Sequence, residues 1–60
     1  MTPSEFLASL EIVLQHRRVP FSRAAAIAFV ESAWPLIEDN PDVWEWSERF
    51  IEAGAVETPA

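Results

Sequence analysis

The chain holds one histidine, His16, and no cysteine, tyrosine or lysine. Acid–base or nucleophilic chemistry would therefore fall to that imidazole, to serines or to carboxylates. Ser9 and His16 project from a similar side of a helix but stand two turns, about 10 Å, apart. That exceeds the hydrogen-bond reach between a nucleophile and its base. A paired-carboxylate site needs one acid buried so that its pKa rises, and every acid here reads as lying on a polar face or at a helix end. Metal binding is equally poorly served, because His16 has no second histidine and the carboxylate of Glu5 lies eleven residues back. The residues point to a non-enzymatic protein with no metal and no cofactor.

What remains is a negative face. At 100° per residue, Glu45, Glu48 and Glu52 fall within about 60° of one another. Asp42 lies nearer one edge, and Glu38 and Asp39 come just before this helix begins. Arg49 can pair with Glu45 at i,i+4 or with Glu52 at i,i+3, while Glu48 and Glu52 face each other as like charges. Trp44 and Trp46 are about 200° apart on the same wheel, so one neighbouring helix cannot bury both fully. Trp44, bordered by Glu45 and Glu48, is the one expected at the surface, and tryptophan is enriched in interface hot spots. Glu38, Asp39, Asp42, Trp44, Glu45, Glu48 and Glu52 are thus the candidate partner-binding residues. The competing reading is a solvated face that keeps a small protein soluble.

Three helices must position these groups. Thr2-Pro3-Ser4-Glu5 is a start signal: a capping threonine, proline at the first helical position, and glutamate three residues after the cap. Phe6, Leu7, Leu10, Val13 and Leu14 make a stripe with 3–4 spacing. Ile12 lies nearly opposite, beside Glu5 and His16, and forms a small second apolar patch with Ala8. The first helix is expected over Pro3–Arg18, with cations in its last turn and Val19-Pro20 as its stop. Ser22 caps a second helix, Arg23–Asp39, the most apolar segment. Ala26, Ile27, Val30, Ala33, Trp34 and Ile37 share one side, which Phe29 and Leu36 widen to about half the circumference. A lone surface helix needs an apolar stripe of only about 100°, so this one is expected at the centre with neighbours on both flanks. Pro35 removes one of its hydrogen bonds and clashes with the carbonyl of Glu31. A kink near Pro35 is expected rather than a break, because Ile37 keeps the register of Val30. Asn40-Pro41-Asp42 repeats the cap-and-proline signal, and a third helix is expected over Pro41–Ala53 with Gly54 as its stop. Val43, Ser47 and Phe50 form the middle of its inward stripe.

The fold class is all-α, a compact three-helix bundle over residues 1–54 with a flexible C-terminal tail over 55–60. Sixty residues suffice for one domain, and one so small is marginally stable. Residues 1–30 set Glu5 and Glu11 against Arg17, Arg18 and Arg23. Residues 31–60 set eight acids against Arg49, so the second half carries −7 against +1 in the first, giving the net charge of −6. Binding to a phosphate backbone needs a cationic footprint, which this chain lacks. A helix-turn-helix mode would drive Asp42, Glu45, Glu48 and Glu52 against phosphate, so direct nucleic-acid binding is excluded. Ala24–Val30, the longest apolar run, falls far short of the about 20 residues of a membrane span. Met1–Leu10 carry Glu5 and no positive charge, the reverse of a signal peptide, and a cytoplasmic location is expected.

In size, acidity and lack of catalytic groups the chain resembles the small phage-borne inhibitors called anti-CRISPR proteins. The resemblance implies an inhibitor that occupies a basic, nucleic-acid-binding channel of another protein. Two partner expectations follow. One is a protein with a basic surface, met by the acidic third helix. The other is a structural or regulatory homodimer built through Ile12 and Ala8 or through the exposed tryptophan.

Overall fold

In the computed structural model, which describes residues 1–54, the first helix α1 spans Pro3–His16. The tail expected over 55–60 lies outside the described residues. Thr2 and Glu5 close the capping box at its start. The Glu5 N–H donates to Thr2 Oγ1 at 3.2 Å, and the Thr2 N–H donates to Glu5 Oε1 at 3.0 Å. That N–H, helped by the Thr2 side chain, holds the Glu5 carboxyl below its ordinary pKa, because hydrogen bonds to the charged form favour it.

α1 stops two residues before the expected Arg18. Arg17 caps the helix, and Arg18 adopts a left-handed conformation with φ 58°. The Val19 N–H then bonds back to the Leu14 carbonyl at 2.9 Å and the Arg18 N–H to that of Gln15 at 3.0 Å. These two bonds define a Schellman closure, which satisfies carbonyls that the helix end leaves free. Arginine occupies the position that glycine most often fills.

The second helix, α2, runs over Arg23–Asp39 as expected, with Ser22 accepting from the Ala25 N–H. It is continuous through Pro35. The third helix, α3, spans Val43–Glu52. It starts later than Pro41, because Asp42 and not Asn40 is its cap. The Asp42 carboxylate accepts from the N–H groups of Trp44 and Glu45. Asn40 already ends α2, its N–H shared between the Leu36 and Ile37 carbonyls. Gly54, at φ 73°, closes α3 from the left-handed region that only glycine enters without strain.

The buried cluster joins Phe6, Leu10 and Leu14 of α1, Ala26, Val30 and Ile37 of α2, and Trp46 and Phe50 of α3. Phe29 packs edge-on against both Trp46 and Phe50, and Phe6 against Trp34. α1, not α2, is the helix at the centre. It packs broadly on both others, whereas α2 and α3 meet over a shorter seam. The reason lies in the wide stripe of α2: its two edges find no cover. Ile27 is exposed on one edge, and Leu36 is 65% exposed on the other. No helix among the described residues is long and apolar enough to cross a membrane.

Candidate functional site

The seam between α3 and the end of α1 is built around a buried serine. Ser47 is fully buried, in the middle of an otherwise apolar stripe. Its hydroxyl donates to the Trp44 carbonyl at 2.7 Å and accepts from Arg17 Nη1 at 2.9 Å. A buried hydroxyl needs such partners. One comes from its own helix and the other from the C-cap of α1, so the two bonds pin the end of α1 against α3. Arg17 is drawn to the acidic side of the molecule as a result. There it lines a shallow groove of about 290 Å³ together with Glu48, Ile51 and Glu52.

The two α3 tryptophans separate as their wheel positions require. Trp46 is 5% exposed, and its indole N–H donates to the Asn40 carbonyl at 2.7 Å. The Arg49 guanidinium stacks over its ring at 5.0 Å, a cation–π contact. Trp44 is 52% exposed. Its one ring neighbour among the described aromatic pairs is His16, which meets it edge-on with centroids 6.1 Å apart. His16 itself is exposed.

The seven candidate residues do not form one group. Asp42 spends a carboxylate oxygen on capping α3. Glu45 is half-buried, accepts from Asn40 Nδ2 at 3.0 Å and pairs with Arg49 at 3.6 Å. Both acids therefore serve the fold. Glu38 and Asp39 are exposed at the C-terminal end of α2, with no basic residue in that turn. They sit against the negative end of the helix dipole and do not line the groove. Glu48 and Glu52 remain. Both are exposed, and neither has an ion-pair partner among the described residues. They are like charges at i,i+4, which destabilises a helix by a few tenths of a kcal/mol.

Glu11, like Glu45, is more shielded than an acid on a fully solvated face. Glu11 is half-buried between α1 and the start of α2. Its shielded Oε1 faces Arg23 Nε at 3.2 Å, an ion contact without hydrogen-bond alignment. Among the described residues, no group of three or more histidine or carboxylate side chains converges as metal ligands would.

Sequence reasoning missed Arg17 and His16 as neighbours of the acidic face. A signal for Arg17 was present: a serine at the centre of a buried stripe calls for a donor from another element. Comparison with family models, with characterised proteins and with solved structures returns no match.

Proposed function

We propose that this chain is a non-enzymatic binding module that docks on a basic surface of a partner protein through the outer face of α3. The observation that carries the reading is Trp44, half exposed and flanked on its own helix by Glu48, with Glu52 one turn further on. An exposed tryptophan beside carboxylates that make no ion pair among the described residues suits an interface with an apolar anchor and a charged rim. Single-sign charge raises association rates and selects partners by complementarity. Glu45 and Asp42 support the helix, and Glu48 and Glu52 meet the partner. The resemblance to anti-CRISPR inhibitors favours a partner whose basic surface ordinarily holds nucleic acid, with this protein acting as its inhibitor.

The test is a capture experiment with immobilised wild type, with the double variant Glu48→Gln/Glu52→Gln, and with Glu38→Gln/Asp39→Asn. A partner retained by wild type is expected to be lost from the first variant and kept by the second. Equal retention by all three would refute the assignment of the binding face to α3.

A further inference from the structure

The side of α2 turned away from the core is almost free of charge. At about 100° per residue, Ala24, Ala25, Ala28, Ser32, Pro35 and Leu36 share an outer face about 120° wide. All but Ala25 are exposed, Leu36 at 65%. In a chain of net charge −6, this face meets a charge only at Asp39, in the last turn. Arg23, Glu31 and Glu38 fall along one rim. The ends of α2 are charged in the sense that a lone helix disfavours. No acid stands in its first turn and no base in its last. Arg23 opens the helix, 3.2 Å from Glu11, and Arg18 lies in the turn before it. Arg17 is drawn off to Ser47 of α3. Glu38 and Asp39 close the helix with no ion-pair partner among the described residues. Next to them stand Asp42 and the Glu45–Arg49 pair at the start of α3. Acids suit the positive amino end of a helix dipole and bases the negative carboxyl end. Here both are reversed, and a neighbouring helix running the opposite way corrects both.

We infer that a second copy of this chain covers the outer face of α2, with the two α2 helices antiparallel about a two-fold axis level with Val30. Leu36 then lies level with the other copy's Ala24, large against small, and Ser32 with its Ala28. Glu38 and Asp39 come within one or two residues of the level of the other copy's Arg23, about 1.5–3 Å along the axis. They also come beside its acid-free first turn, where the dipole is positive. Such a two-fold contact is self-complementary, the same patch on both copies. A parallel pair would set Glu38 and Asp39 against themselves, so charge selects the antiparallel one. The net charge of each copy opposes association, but salt at about 0.15 M screens it beyond about 8 Å. No residue of α3 belongs to this face, so the pair carries two α3 docking surfaces.

Sedimentation equilibrium at about 0.15 M salt tests this. Wild type is expected to form a dimer, and Leu36→Gln to raise its dissociation constant about tenfold. Leu36 is exposed, so the variant keeps the fold, which circular dichroism checks. Glu38→Lys/Asp39→Lys separates the pairing from general repulsion. It removes most of the net charge of −6, so repulsion alone predicts a tighter dimer. Antiparallel pairing predicts a dimer several-fold weaker, because lysine then meets the other copy's Arg23 and the positive end of its helix. A wild type that stays monomeric up to about 1 mM overturns the inference. So does a dimer that Leu36→Gln leaves intact, and its loss in Ile12→Gln would place the contact on α1. A dimer unchanged or tightened by Glu38→Lys/Asp39→Lys refutes the antiparallel arrangement.

Discussion

Arg18 carries strain that a substitution can relieve. Its φ of 58° places a side-chain-bearing residue in the left-handed region, at the turn between α1 and α2. That conformation costs a non-glycine residue about 1–2 kcal/mol, and glycine escapes the cost. Glycine loses more backbone entropy on folding, about 0.5–1 kcal/mol. Arg18→Gly and Arg18→Ala both remove a cation near the end of α1, an effect of about 0.3–1 kcal/mol that cancels between them. Alanine keeps the strain and glycine does not. The glycine variant is therefore expected to be more stable than the alanine variant by about 0.5–1 kcal/mol. Urea unfolding followed by circular dichroism measures the difference. With a slope of about 1 kcal/mol/M for a domain of this size, the two midpoints should differ by about 0.5–1 M. An alanine midpoint equal to or above that of glycine would show that the closure at Leu14 and Gln15 is not held in the left-handed geometry.

Leu10 is fully buried on the central helix, and Leu10→Ala should cost about 2–5 kcal/mol. A chain this short has only about 3–9 kcal/mol in total, so a large drop in melting temperature or outright unfolding is expected. A shift of a few degrees would argue against α1 as the central helix. The capping box predicts a pH effect. The folded Glu5 carboxyl titrates below its ordinary value of 4.5, so between the two values the unfolded chain binds more protons and stability rises with pH. The contribution is complete above the ordinary value and is lost as pH falls through the lowered one. Any advantage of wild type over Glu5→Gln seen in thermal melts at neutral pH should vanish in acid. An advantage that persists at low pH would contradict the charged form of the box.

Local signals in the sequence foretold much of this molecule. Thr2, Pro3 and Glu5 specify the start of α1 through bonds within one turn, and Ser22 does the same for α2. The angular separation of Trp44 and Trp46 follows from helix geometry alone, and so does the exposure of one of them. The errors arose where two local signals competed or where distance mattered. Asn40 and Asp42 are both good caps, and the choice fell to Asp42 because Asn40 was needed to end α2. The apolar half-circle of α2 suggested a central position, but coverage depends on how the helices cross, which no spacing within one helix encodes. The pairing of Glu45 with Arg49 was legible from their i,i+4 spacing, whereas the hydrogen bond from Asn40 to Glu45 depends on how the chain turns between α2 and α3. The contacts of Arg17 with Ser47 and of His16 with Trp44 each span about thirty residues of chain. They appear only once α1 and α3 are brought together.

The proposed docking surface requires Trp44, Glu48 and Glu52 to act as one local surface, as distinct from a diffuse negative charge. An isotope-labelled sample titrated with an oligoarginine peptide, at about 0.15 M salt to screen distant charges, reads this residue by residue in its amide spectrum. The predicted shifts concentrate at Trp44, its indole N–H, Glu48 and Glu52, with Glu38 and Asp39 unmoved. Shifts spread evenly over all the exposed carboxylates, or centred on Glu38 and Asp39, would contradict it.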